Sequence, residues 1–178
     1  ELFSAAETVA RFRPLSRARL GIVTNGGGAG VLAVDRLAAG GAGELAELSA
    51  ATLAALDPAM PKAWSRANPV DIIANASPER YVAALSAVAA DDGVDVVLVM
   101  NCPSGLADSA EAARAVAGAV SRGMIGRKPA LCCWFGGRRA ATTRSIQPGA
   151  GVEPPGAREA QVAAEGHRLR HPPVGEAG

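Results

Sequence analysis

The stretch Leu20-Gly-Ile-Val-Thr-Asn-Gly-Gly-Gly-Ala-Gly-Val-Leu-Ala-Val-Asp-Arg-Leu-Ala-Ala39 decides how the rest of the chain is read. It predicts a buried strand over Leu20–Thr24, a glycine-rich turn over Asn25–Gly28 and a helix that begins near Ala29. Four glycines stand among the six residues Asn25–Gly30. A plain strand-to-helix turn needs one or two, so the surplus has a second explanation: it clears side chains away from the first helical N–H groups. Those groups are unpaired donors at the positive end of the helix dipole, and together they hold an anion without lysine or arginine. Asn25, Gly26, Gly27, Gly28, Ala29 and Gly30 are therefore the expected phosphate-binding residues. Asn25 has two readings, orienting the turn or touching the phosphate through its amide.

Outward from this turn, strands and helices alternate. Gly40–Gly43 closes the first helix, and Gly43–Leu48 alternates like a strand with one exposed face. Ser49 caps a short helix that Pro58 and Pro61 stop. Val70–Ile73 is a third strand, entered through Asn68-Pro69. Ser77-Pro78-Glu79 combines a cap, a proline at the first helical position and an acid in the first turn, predicting a helix to Ala90. Val94–Met100 is the most apolar strand, Asp108 with Glu111 opens a helix to Arg122, and Ala130–Phe135 is the fifth strand. Five strands joined by short helical crossovers predict an α/β fold: an open five-stranded parallel sheet with helices on both faces, flavodoxin-like or Rossmann-like. Ligands of such sheets gather at the carboxyl ends of the strands. That edge brings the glycine turn together with the segments after strands three and four, which makes Asn68, Asp71 and Asn101 candidate crevice residues. Asp71 has two readings as well, a backbone hydrogen bond at a tight strand entry or a role in shaping the crevice.

The ends read differently. Glu1–Phe12 places Leu2, Ala5, Ala6, Val9 and Phe12 on one helical stripe, an amphipathic lead-in helix stopped by Pro14. Because that pattern is already running at Glu1, without a methionine, a longer parent protein is expected. Arg138–Gly178 is rich in proline, glycine and arginine and is expected to be poorly ordered, leaving 1–137 as the folded domain.

Composition narrows the function. A net charge of +1 and 3% aromatic residues give neither a field nor stacking platforms for nucleic acid. The longest apolar run, Val94–Met100, is interrupted by Asp95 and is far too short to span a bilayer, and no signal-peptide pattern opens the chain, so a cytoplasmic protein is expected. Three cysteines, Cys102, Cys132 and Cys133, fit buried thiols of a reducing compartment. Cys102 has no neighbouring histidine in sequence to activate it, so it is expected to be packing rather than a nucleophile, and Trp64 is expected to pack or to lie at an interface. No metal-ligand spacing and no catalytic constellation stand out.

Four segments together carry a family resemblance: Thr-Asn-Gly-Gly-Gly-Ala-Gly-Val-Leu-Ala at Thr24–Ala33, Asn-Pro-Val-Asp-Ile-Ile at Asn68–Ile73, Val-Leu-Val-Met-Asn-Cys-Pro at Val97–Pro103 and Lys-Pro-Ala-Leu-Cys-Cys-Trp at Lys128–Trp134. Over roughly Glu1–Gly137 the chain resembles the NDP-forming acyl-CoA synthetases, relatives of succinyl-CoA synthetase that include forms fused to a lysine acetyltransferase. The resemblance implies the second flavodoxin-like domain of such a ligase, which converts acyl-CoA, ADP and phosphate to acid, CoA and ATP. It implies that the helix after Asn25–Gly28 faces a phosphohistidine supplied by another domain. It also implies partner CoA-binding and ATP-grasp domains, with CoA, ADP or ATP and magnesium used by the whole enzyme and none bound by this domain alone. His167 and His171, in the tail, lie in no motif that would make either the phosphate carrier. On this reading the domain is inactive by itself.

One rival comes from a different class. Gly28-Ala-Gly30-Val-Leu-Ala33 fits the dinucleotide fingerprint G-x-G-x-x-A, and Glu47, near the end of strand two, stands where a ribose-binding acid belongs, so an NAD(P)-binding dehydrogenase module is the alternative. A receiver-like signalling domain would need acids after strand one and a lysine after strand five, and Thr24-Asn25 and Gly136-Gly137 occupy those places.

Overall fold

The computed structural model describes residues 18–41, 43–135 and 144–146. The lead-in segment 1–12, the histidines of the tail and most of 138–178 lie outside the described residues. Six strands form one sheet: β1 (Arg19–Thr24), β2 (Glu44–Leu45), β3 (Val70–Asp71), β4 (Val96–Asn101), β5 (Ala130–Trp134) and β6 (Arg144–Ile146). The helices are α1 (Gly27–Gly40), α2 (Ala50–Leu56), α3 (Pro78–Ala90) and α4 (Ser109–Ser121), with a 3₁₀ turn at Asp57–Ala59. The first five strands are parallel, as the βα rhythm requires, and β6 adds an antiparallel edge on β5.

β1 is the centre of the sheet. One side pairs with β4 along five residues, Leu20↔Val96 to Thr24↔Met100. The other side is divided between two short strands: β2 takes Arg19 and Leu20, and β3 takes Val23 and Thr24. The side chain of Asn68 fills the gap between them. Its Oδ1 accepts from Ile22 N at 2.9 Å, and its Nδ2 donates to Leu20 O and Ala46 O, both at 2.8 Å. One amide thus satisfies Ile22 N and Ala46 O and shares Leu20 O with Ala46 N, which donates to it at 3.0 Å. The chain order reverses between β1 and β4, so the switch-point crevice opens above their carboxyl ends.

The faces follow from side-chain alternation. A Cβ on Gly21 would meet Val88 of α3, whereas Thr24 packs under Gly30 of α1, so α3 and α1 lie on opposite faces. On the α3 face, Val97, Val99, Tyr81, Leu85, Val88, Val116 and Ala130 form the fully buried core. Trp64 belongs to it too, 4% exposed, with its Nε1 donating to Asp57 Oδ1 at 2.8 Å.

Helix caps confirm several local readings. Ser49 and Ser77 cap α2 and α3, and Asp108 Oδ1 accepts from Ala110 N and Glu111 N at the start of α4. Gly41 ends α1 in the left-handed conformation, φ 61°.

Asp91 ties the base of the sheet. Its Oδ2 accepts from Ser49 N at 2.8 Å and its Oδ1 from Gly93 N at 2.7 Å. Burial raises its pKa, but hydrogen bonds from Thr52, Ser49 and Gly93 outweigh it and hold the group at about 2. A depressed carboxylate contributes stability above its unfolded pKa and loses it as pH falls toward the folded value. Acid titration between pH 4 and 2 is therefore expected to remove about 2 kcal/mol through Asp91. Asp95, hydrogen-bonded and ion-paired to Arg19 and likewise held at about 2, titrates in the same window. The check is thus the difference in unfolding free energy between wild type and Asp91→Asn across that range, and a pH-independent difference would refute it.

Candidate functional site

The carboxyl edge is built around the turn that joins β1 to α1. Asn25 is 3% exposed, and both halves of its amide are committed to the end of β4: Nδ2 donates to Cys102 O at 2.8 Å and Oδ1 accepts from Cys102 N at 2.7 Å. Of its two readings, the structure gives Asn25 the orienting one, a staple across the switch point. Gly26 is the N-cap of α1 and offers no side-chain cap. Its O accepts from Ala29 N at 3.0 Å and Gly30 N at 3.2 Å, and its N donates to Thr24 Oγ1.

The glycines serve three different ends. A Cβ on Gly26 would lie 2.7 Å from Cys102 Sγ, and one on Gly30 would lie 3.1 Å from Thr24 and 3.2 Å from Pro69, so these two permit close packing. A Cβ on Gly27 would lie 2.8 Å from Asp71 Oδ2. Gly28 faces open space, with nothing within 4 Å of the position a Cβ would take. Gly27 and Gly28 are exposed, Ala29 is half-buried and Gly30 is buried. Hence only the Gly27 and Gly28 amides combine exposure with the lack of an acceptor among the described residues. The mouth of α1 is open, and the bulk of its glycine run is spent on packing.

Asp71 does bond to backbone, but at the exit of β3 rather than its entry, and its other carboxylate oxygen borders the glycine turn. Its Oδ1 accepts from Ile73 N at 2.9 Å, tightening the exit of β3, while Oδ2 lies beside Gly27 and accepts no hydrogen bond among the described residues. The turn it tightens holds Ile73 at φ 66°, a conformation that a β-branched residue rarely adopts. Ser104 Oγ donates to Ala74 O at 2.8 Å and Arg80 Nη1 to Ile72 O at 3.1 Å, which fixes that turn from both sides.

Asn68 and Asn101 do not join the mouth. Asn68 is bound to the backbone of β1 and β2, below the crevice. Asn101, 3% exposed, turns to the α3 face, where its Nδ2 donates to Tyr81 OH at 2.9 Å. Its Oδ1 has no partner among the described residues. Alternation explains this placement: Asn101 shares the face of Val97 and Val99, opposite α1. Sequence spacing puts both asparagines at strand ends but does not give the direction of their side chains.

Cys102 is half-buried beneath Gly26. Burial first, then the neighbouring Cys133 and Asp71, push its thiol above the usual value, which favours the thiol over the thiolate. Among the described residues no three His, Cys, Asp or Glu gather in a metal-like cluster, and no helix is long and apolar enough to cross a membrane.

The dinucleotide reading depends on an acid at the carboxyl end of β2. Here β2 leaves β1 after two residues and β3 takes over the upper half of that edge. Glu47 is carried to the opposite, amino-terminal edge, where its O would lie 3.0 Å from a Cβ on Gly93. The fingerprint thus lacks its ribose partner.

The chain is 33% identical over 152 residues to an acetate–CoA ligase [ADP-forming] I of Archaeoglobus fulgidus, covering 85% of this chain and 20% of the relative. The chain belongs to the NDP-forming acyl-CoA synthetase family. As a synthetase domain it spans about a fifth of the length of that curated relative. Its fold matches the dinucleotide forming acetyl-coenzyme A synthetase 1 of Ca. Korarchaeum cryptofilum, with TM-score 0.69 and 26% identity, over 76% of this chain and 29% of that one. The same enzyme in complex with phosphate and ADP matches equally. A Pyrococcus horikoshii OT3 protein matches with TM-score 0.61 and 30% identity, over 68% of this chain and 28% of that one. No family model matches the chain.

Proposed function

We propose that this synthetase domain is the part of an ADP-forming acid–thiol ligase that receives a phosphoryl group at the mouth of α1. The observation that carries the proposal is the pair of exposed, unacceptored amides at Gly27 and Gly28, with open space above Gly28 and no side-chain cap. An anion there gains the helix dipole and two backbone donors. Supporting this, the solved relative described with phosphate and ADP shares this fold.

The whole reaction would be acyl-CoA, ADP and phosphate to acid, CoA and ATP, in a cytoplasmic enzyme whose CoA-binding and ATP-grasp portions lie outside this chain. A phosphohistidine on one of those portions would bring the phosphoryl group. The role left to this chain's own residues is narrow. Asn25 holds the β1 and β4 ends in register, Gly26 and Gly30 let α1 approach, and Gly27 and Gly28 present donors. No general acid or base at the mouth is required of the domain, because phosphoryl transfer is helped chiefly by positioning and charge stabilisation. With acetyl-CoA, ADP and phosphate, the intact assembly is expected to form ATP and this chain alone none. ATP formation by the chain alone would overturn the division of labour.

A further inference from the structure

The amino-terminal edge of the sheet, at the far end from the glycine turn, carries a charge asymmetry that the proposed reaction does not use. Its parallel strands stand in the order β2, β1, β4, β5. Glu44 opens β2, the Arg19–Asp95 ion pair joins the starts of β1 and β4, and Arg127 and Lys128 lead into β5. Neighbouring strands lie about 4.8 Å apart, so the acidic start of β2 and the basic approach to β5 are separated by about 14 Å. The same polarity continues under the helices. Glu47 and Asp92 rim the groove between α2 and α3, whereas Arg122 closes the end of α4. Arg19 and Asp95 satisfy each other, but Glu44, Glu47, Asp92, Arg122 and Arg127 are exposed and form no ion pair among the described residues.

Shape follows charge. The groove at the acidic end measures about 750 Å³ and is floored by Ala51, Ala55, Ala87 and Ala90. Asp91 also lines it, but both of its oxygens are taken, by Ser49 N and Gly93 N, so Glu47 and Asp92 are the carboxylates left to act. At the basic end Met124 is 43% exposed, with the Arg122 guanidinium 4.0 Å from its sulfur. One end is thus an apolar hollow with an acidic rim, and the other an apolar tip with a basic flank. β1 and β4 stand between them, so they cannot meet within one chain.

Two such edges can face each other about either of two axes. A two-fold axis lying in the sheet and crossing the strands sets β2 against β2, acid on acid. A two-fold axis along the sheet normal, between β1 and β4, sets the β2 end of each copy against the β5 end of the other and keeps the α2, α3 and α4 ends on one side of the joint. We propose that two copies of this chain associate about this second axis, Met124 of each copy seated in the other's α2–α3 groove, with Arg122 and Arg127 opposite Glu47 and Asp92. The charges select the pairing, and the thioether on the alanine floor supplies the apolar contact. The contact is small and rich in charge, so the association is weak and sensitive to salt. The mouth of α1, at the other edge, stays open in the pair.

Sedimentation equilibrium of the full chain from about 5 to 500 µM reads the association. The wild-type chain is expected to dimerise at about 50 mM salt, with a dissociation constant about tenfold or more higher at about 500 mM. Glu47→Lys/Asp92→Lys and Arg122→Glu/Arg127→Glu are each expected to be monomeric, because each sets like charges face to face. Their equimolar mixture is expected to form a heterodimer, since both contacts are then of opposite sign again. Met124→Ala is expected to weaken the dimer about tenfold and to leave its salt dependence unchanged. A monomer throughout that range, a dimer indifferent to salt, or two folded charge variants that fail to combine overturns the proposal. So does growth past two copies, which would make the contact head-to-tail. Should a charge reversal unfold the chain, Met124→Ala decides, and an unchanged dissociation constant overturns the proposal.

Discussion

Gly28→Asp is expected to lower ATP formation by the intact assembly about 100-fold or more, the cost of disabling a donor aimed at transition-state charge, while leaving this domain as stable as wild type. The two halves of that expectation come from the same geometry. Nothing lies within 4 Å of the position a Cβ would take on Gly28, and its backbone is not in the left-handed region, so a side chain fits without strain. A carboxylate in the first turn of a helix moreover gains about 0.3–1 kcal/mol from the dipole, and α1 has no acid there at present. Stability therefore holds or rises slightly, while the anion site is filled by the chain's own charge. A residue important only for folding would show the reverse signs. Gly28→Ala is the graded control, expected to cost less than tenfold because a methyl group hinders approach without adding charge. Full turnover by the aspartate variant would remove the mouth of α1 from the mechanism.

Much of this edge is legible in the sequence, for identifiable reasons. The βα rhythm sets the parallel sheet, because short crossovers leave few alternatives. Start signals such as Ser77-Pro78-Glu79 and Asp108 act through local hydrogen bonds, and those bonds are present at Ser77 and Asp108. The glycine turn is legible as a place but not as a division of labour. Composition marks four glycines alike, whereas Gly26 and Gly30 answer to Cys102, Thr24 and Pro69, side chains that only the folded sheet brings close. The split partner of β1 is not legible either. Alternation predicts strand two over Gly43–Leu48, but it pairs only at Glu44–Leu45, since Asn68 and β3 compete for the same edge of β1 from more than twenty residues away.

That competition makes Asn68 the residue whose loss should damage the fold most. Its side chain replaces a strand residue: one acceptor for Ile22 N and two donors for Leu20 O and Ala46 O, in the middle of a sheet where Ile22 is fully buried. Asn68→Ala leaves Ile22 N and Ala46 O without their Asn68 partner, while Leu20 O keeps the bond from Ala46 N at 3.0 Å, and a buried group so stranded costs about 1–3 kcal/mol. Some of the penalty is recovered where water reaches the edge of β1, so a loss of about 2–4 kcal/mol is expected, a large part of the roughly 5–15 kcal/mol that holds such a domain together. Chemical denaturation of the chain reads it directly. Asn68→Asp separates hydrogen bonding from volume. It keeps the acceptor for Ile22 N, but when ionised it sets a carboxylate against two carbonyl oxygens, so its folded pKa is raised above the unfolded value of about 3.9. Stability contributed by its protonated form is complete below that unfolded value and lost as pH rises, so Asn68→Asp should be more destabilised, relative to wild type, at pH 7 than at pH 4. A loss below 1 kcal/mol for Asn68→Ala would mean that β2 and β3 hold β1 unaided.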